Sequence, residues 1–387
     1  HHRVVARRRR VNPGAWAGAC ACTLAITLAT VSCSGGGSKQ AAHAVAPNTV
    51  GYCKGTTPGS QVVVYSTTGL DYWYSDILTA FQDDCHVNVV FQSDTSPNIE
   101  QQLEIDKARP YADVVIAEAP DLTKADQDDL LVPGGTPGSS GVPASRCAPH
   151  RDWCDVIENY ISFVYNPTLV KDPPSTLDDL LAPRFAGHVL LSDLALADDG
   201  RALLDLLDLT VGRAATLRYI TALEPLVKSH WIVTDTMSRL VSEGKALVAN
   251  GNFRENLNDI PQYGNLVIWF PFVGVQRTTI AMPYGAALVR GGHHHANAVA
   301  LLEFMWSKVG QAAVADAPGL PARTDVDPTD CRSQDMRKRL ADVRIIRPDW
   351  VRVARDQQVL DAAWQRLKHA PYGVPPPATG IPPLEPC

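Results

Sequence analysis

Residues 61–131 read QVVVYSTTG (61–69), a helically spaced stretch (70–81), VNVVFQSD (87–94), SPNIEQQLEIDKA (96–108), ADVVIAEAP (112–120) and a second helically spaced stretch (121–131). The three β-branched runs are short and end in small or polar residues, the pattern of strands. Between the first two, Trp73, Ile77, Leu78 and Phe81 recur at helical intervals. Ser96 is a candidate N-cap, and Pro97 fits the first helical position. Strand and helix alternate three times, which predicts an α/β layer with parallel strands.

The same alternation continues past a Gly/Pro/Ser-rich loop at 133–145. Residues 159–165 predict a strand and 176–185 a short helix, followed by a strand at 187–193. Helices are expected over 201–209, 213–226 and 236–246, with strands at 231–235, 245–253 and 265–272. Residues 277–292 lead back toward the first unit, and 297–314 predict one strongly apolar helix. No tandem repeat of fixed period is present.

The 387 residues are 45% hydrophobic and 20% charged, an ordinary globular balance at a length that suits two lobes. The net charge of -6 gives no basic footprint, which argues against a nucleic-acid partner. Arg7 to Arg10, the uncharged run 15–31 and Thr30-Val31-Ser32-Cys33 predict a secretory signal over 1–32 with lipidation at Cys33. A membrane-spanning anchor is the competing reading, but Gly18, Thr23 and Thr27 interrupt a short run. Residues 33–58 then form a lipidated tether. Without the signal the chain keeps 30 basic and 41 acidic residues, a net charge of -11.

Of nine cysteines, Cys20 and Cys22 fall in the signal and Cys33 carries lipid, leaving six. An even number in an exported chain predicts three disulfides, and proximity favours Cys53–Cys85, Cys147–Cys154 and Cys331–Cys387. Zinc is the alternative, and no C-x-x-C pair supports it. The motifs G-x-S-x-G, H-E-x-x-H and G-x-x-x-x-G-K-[ST] are also missing, so no enzyme signature stands out.

An ordered set of segments carries a resemblance: VVVYSTTGLDYWYSDILTAFQ (62–82), VNVVFQSDTSPNIEQQLE (87–104), YADVVIAEAPDLTKADQDDLL (111–131), FVYNPTLVKDPPSTLDDLLAPRFAGHVLL (163–191), SRLVSEGKALVANGNF (238–253), TIAMPYGAALVRGG (279–292) and NAVALLEFMWSKVGQAAVADAPGLPAR (297–323). In order and spacing it resembles the extracellular solute-binding proteins of ABC importers, in the two-lobed class that includes iron(III), polyamine and 2-aminoethylphosphonate binders. The resemblance implies a class II periplasmic-binding-protein-like α/β fold, two lobes joined by two crossover hinge strands around a cleft. Lobe 1 would take 59–165, lobe 2 166–280, and 281–387 would return to lobe 1. The implied role is a monomeric lipoprotein, tethered outside the cell membrane, that captures a small solute and delivers it to an ABC permease without a cofactor. An enzyme on the same fold, or a lipoprotein acting through protein contacts alone, are the competing classes.

Ligand candidates are residues at strand ends and helix starts, where free N–H groups collect. In lobe 1 these are Ser66, Thr67, Thr68, Ser93, Ser96 and Glu118; in lobe 2, Ser192, Thr236, Asn252 and Arg254; on the return crossover, Tyr284. Thr67, Thr68, the Ser93–Ser96 loop and Glu118 have an alternative role as helix caps, Tyr284 an alternative role in hinge packing, and Arg254 an alternative salt bridge with Glu255. Asp71, Trp73 and Tyr74 can hold a cation or simply pack. Iron-binding relatives carry adjacent tyrosines where this chain has Phe253 and Arg254, which puts a tyrosinate iron site in doubt. Small oxyanions therefore rank first, a cationic amine second and iron third. His293 to His295 are expected to form a solvated turn.

Overall fold

The computed structural model describes residues 51–375 apart from 68–69, 317–318 and 329, and apart from the side chains of 71–76 and 314–316. The expected signal, Cys33, most of the tether, Thr68, the Asp71–Tyr74 side chains and Cys387 lie outside the described residues.

The parallel layer expected from residues 61–131 forms. β1 (Gln61–Thr67) leads through α1 (Asp71–Cys85) to β2 (Asn88–Asp94), then through α2 (Ser96–Asp106) to β3 (Val114–Glu118) and α3 (Ala119–Gln127). β1 lies between β2 and β3, parallel to both. Val62 and Val64 pack with Ile77 and Phe81, whereas Val63 and Tyr65 pack with Ile99 and Leu103 on the other face. Alternate residues point to opposite faces, and helices cover both, so the strand is apolar throughout.

The chain continues through β4 (Cys154–Tyr165), β5 (Val189–Ser192), α4 (Asp198–Val211), α5 (Arg213–Leu223), β6 (Val227–Trp231), α6 (Met237–Ser242), β7 (Val248–Asn252), α7 (Phe253–Tyr263), β8 (Val267–Trp269), β9 (Phe272–Val273) and β10 (Gln276–Leu288). The strand order β2-β1-β3-β10-β4-β7-β5-β6 shows how two lobes share two strands. β10 pairs with β3 through Tyr284–Leu288, and β4 pairs with β7 through Ile161–Tyr165. β4 and β10 pair antiparallel with each other and are the two crossovers. A second parallel layer forms around β5, and its apolar residues, including Leu191, Leu203, Leu206 and Ile220, make a separate core.

Three local expectations are corrected. The strand placed at 231–235 runs Val227–Trp231, and Ile232 and Val233 are exposed beyond it. The helix at 176–185 is only two single turns, Asp178–Leu181 and Pro183–Phe185, because Pro183 cannot continue a helix. The helix at 297–314 breaks into α8 (His295–Met305) and α9 (Lys308–Asp316), with Ser307 Oγ accepting from the Gly310 N–H at 3.0 Å to start the second.

Disulfides join Cys53 to Cys85 and Cys147 to Cys154. Cys331 is also disulfide-bonded. The remaining elements are β11 (Leu320–Pro321), α10 (Cys331–Leu340), β12 (Arg344–Ile346) and α11 (Trp350–Leu367). α11 packs along α3 of the first lobe, while its Leu360 and Trp364 enter the core of the second. Beyond it, Asp193 receives Lys368 at 3.1 Å and the Tyr372 hydroxyl at 2.7 Å. Residues 371–373 then run beside β6: the His230 N–H donates to Pro371 O at 2.9 Å and the Gly373 N–H to His230 O at 2.8 Å. Among the described residues no helix is long and apolar enough to cross a membrane.

Candidate functional site

The strand ends of the first lobe meet the start of α4 from the second. Thr67, the last residue of β1, donates its hydroxyl to Asp198 Oδ2 at 2.7 Å. The Ser96 hydroxyl donates to the same oxygen at 3.0 Å and accepts the Glu118 N–H at 3.2 Å. Ser96 is thus the first residue of α2 rather than its N-cap, and Thr67 does not cap α1. One turn further along α4, Arg201 pairs with Asp121 of α3 at 2.5 Å, both side chains buried. These two links hold the lobes against each other.

The second lobe adds its own strand ends. Thr234 donates to Asp199 at 2.7 Å. Asn252 caps α7, its Oδ1 accepting from the Glu255 N–H at 2.9 Å and from Asn159 Nδ2 at 3.0 Å. The Arg254 N–H donates to Asn159 Oδ1 at 3.2 Å, and its buried guanidinium meets Glu255 at 3.0 Å. The salt bridge set against a ligand role for Arg254 is therefore present. Tyr284 lies opposite Glu118 in the β3–β10 register and is buried.

Acid accumulates where the lobes meet. Burial, then the neighbouring Asp198, pushes the Glu118 carboxyl well above its usual range. Burial also raises Asp198, and burial with Glu255 close by raises Asp199. Glu255 rises by burial although Arg254 opposes the shift. Each ionised form is disfavoured by lost solvent and by like charge. Asp198 Oδ1 is buried with no hydrogen-bond partner among the described residues. A cation entering here would relieve both costs.

The other sequence candidates sit in varied settings. Ser66 donates to the Thr67 carbonyl at 3.2 Å, and Ser93 is exposed on β2. Ser192 is buried, its N–H donating to Asn250 Oδ1 at 2.9 Å and its hydroxyl accepting from the Asn250 amide. Thr236 precedes α6 without capping it. Glu118 occupies the position before α3 and makes no cap either. Phe253 is buried among Tyr160, Leu257 and Phe270. His294 does not stand free in solvent: its ring meets Asp113 at 2.9 Å. Among the described residues no group of three or more His, Cys, Asp or Glu side chains is arranged to hold a metal.

The sequence reading passed over Asp198, Asp199 and Arg201. The helix expected over 201–209 starts after this acidic pair, and acids just ahead of a helix look like an ordinary complement to its dipole. Only tertiary structure shows that Asp198 bonds to the opposite lobe.

These buried acids set a pH dependence. Burial lifts Asp205 to about 8 and Asp259 to about 7. Both titrate near 4 when unfolded. Between those values the native state binds more protons, so stability falls as pH rises through this window. Chemical denaturation of ligand-free protein should show a loss of more than about 1 kcal/mol from pH 5 to 8.5. Asp205→Asn should flatten that slope; an unchanged slope would remove Asp205 from the explanation.

Two α/β lobes, two crossover strands and polar side chains converging between the lobes are the architecture of a solute-binding protein. Residues 62–317 match the bacterial extracellular solute-binding proteins, and the chain belongs to that family. It is an extracytoplasmic binding component of an ABC importer. A periplasmic protein of Salmonella typhi, provisionally named as 2-aminoethylphosphonate-binding, is 27% identical over 315 residues, covering 80% of this chain and 92% of that one. The solved periplasmic binding protein P5PA superposes with a TM-score of 0.71 at 16% identity, over 80% of this chain and all of that one. Iron-bound HitA from Pseudomonas aeruginosa superposes at 0.67 with 20% identity, over 79% of this chain and 99% of that one.

Proposed function

We propose that the cleft captures a small zwitterion carrying an ammonium and a phosphonate, with 2-aminoethylphosphonate as the reference ligand, for delivery to a permease. The observation that carries this reading is the Glu118, Asp198, Asp199 and Glu255 cluster, with Asp198 Oδ1 unpartnered. It suits an ammonium. A phosphonate would face the hydroxyls at the ends of β1 and β2 and Arg254 at the start of α7, whose planar fork matches such a group. The name of the Salmonella relative supports the pairing of these two groups. A plain oxyanion, ranked first from the sequence, fits less well because carboxylates outnumber the arginines here.

The remaining reading follows from the same role. The protein acts by closing over its solute rather than by catalysis, and lobe 1 takes 59–165, lobe 2 166–280 and the return 281–387. A lipid on Cys33, after removal of 1–32, tethers it to the membrane as a monomer. The site also draws on Ser66, Thr68, Ser93, Ser192, Thr236, Asn252 and Tyr284 as its second rank.

Calorimetric titration with 2-aminoethylphosphonate, ethylphosphonate and propylammonium tests the assignment. The zwitterion should bind at least about tenfold more tightly than either half. Propylammonium binding as tightly as the zwitterion would make this a cation receptor, a reading the acid surplus favours as the second choice. Equal binding of ethylphosphonate, or no saturable binding of any of the three, overturns the proposal.

A further inference from the structure

A cavity of about 370 Å³ lies against the two crossover strands. Its floor includes Asp155 and Glu158 of β4 and Ala281 and Pro283 of β10. Its walls are Trp153 from the loop before β4, Asp126 of α3 and Trp350 at the start of α11. None of Thr67, Ser96, Asp198, Asp199 or Glu255 lines it. The volume suits a small organic molecule.

The polar groups of this cavity are unevenly matched. Arg146 and Arg347 both face it, and both hold Glu158, at 3.0 and 2.7 Å. Arg146 donates further to the carbonyls of Pro321 and Ala322, each at 3.1 Å. Asp349 caps α11 through the Val351 and Arg352 N–H groups. Asp155 is different. It is only 3% exposed, it lines the cavity, and its Oδ1 has no hydrogen-bond partner among the described residues. A carboxyl buried in that state is costly unless something pairs with it. Four carboxyls line the space against two guanidinium groups, and two tryptophans supply flat apolar walls.

We propose that this cavity is a second small-molecule site, which takes an organic ammonium with a flat apolar body. The ammonium pairs with Asp155, and the body lies against Trp153 and Trp350, whose ring faces also attract a cation. The site does not depend on which solute the cleft takes.

Benzylammonium is the probe, with benzyl alcohol as its uncharged counterpart, followed by calorimetry and ligand-observed NMR on the exported chain. Benzylammonium should bind saturably below about 10 mM and more tightly than benzyl alcohol. Asp155→Asn, nearly isosteric, should weaken it about tenfold or more. Trp350→Ala, at a half-buried position, should weaken it too, and serves if the Asp155 variant does not fold. Saturating 2-aminoethylphosphonate should not displace the probe. Absence of saturable binding, equal affinity for the alcohol, wild-type affinity in the variants, or displacement by 2-aminoethylphosphonate would each overturn the assignment.

Discussion

Glu118→Gln should bind 2-aminoethylphosphonate about 10- to 100-fold more weakly than the unmodified chain, with ethylphosphonate binding little changed. Glu118 ends β3, is buried, and carries a carboxyl pushed up by burial and by Asp198. An incoming ammonium makes the ionised form favourable there, and a hydrogen bond between charged groups contributes about 1.5–3 kcal/mol. At about 1.4 kcal/mol per decade, that range gives the predicted loss. The amide fills the same space and supplies no charge. Calorimetry with both ligands decides the matter. An equal loss for both would place the defect in the fold and take Glu118 out of ammonium recognition.

The second large effect concerns stability. Arg201→Ala should cost about 3–5 kcal/mol in urea unfolding, the usual penalty for breaking one side of a buried ion pair. Burial works against the Arg201 charge, yet Asp121 at 2.5 Å, with Asp361 and Glu118 beyond, raises its pKa. Asp205 and Asp361, both pushed up by burial, are in turn held down by Arg201. Removing the guanidinium therefore strands several acids at once. Asp121→Asn in the same chain should recover part of the loss, because it removes the acid nearest the missing charge. A single variant that unfolds like the parent would show that the pair contributes nothing net. The variant should also bind its solute more weakly, since Arg201 and Asp121 tie α4 to α3 across the lobes.

Much of the fold was legible because its determinants are local. Val62 to Val64 and Val114 to Ile116 announce strands that are buried, Val89 to Phe91 a strand that is half-buried, and the two nearest-neighbour disulfides that are described follow from spacing. The misread stretches depended on context. Ile232 and Val233 look like strand residues, but β6 has already ended at Trp231. Asp193, next to the candidate Ser192, anchors Lys368 and Tyr372, more than 170 positions away, a pairing no local pattern announces. The site was half legible for the same reason. Thr67 and Glu118 stand at strand ends and Ser96 at the helix start that follows one, where topology places ligands. Asp198 had no such mark, because its partners come from another lobe.

The short run at 371–373 beside β6 has a further consequence. A sheet ends in strands whose outer N–H and C=O groups invite pairing by other chains. At one rim the chain's own C-terminal segment occupies that position, bonded on both sides of His230. At the opposite rim, β2 finishes in exposed Gln92, Ser93 and Asp94, and the Asp94 carboxylate turns back to the start of α2. Neither rim offers a long, flat apolar template. The tail that follows α11 thus protects against self-association at high local concentration, and a chain cut before Pro371 would present β6 uncovered to its neighbours.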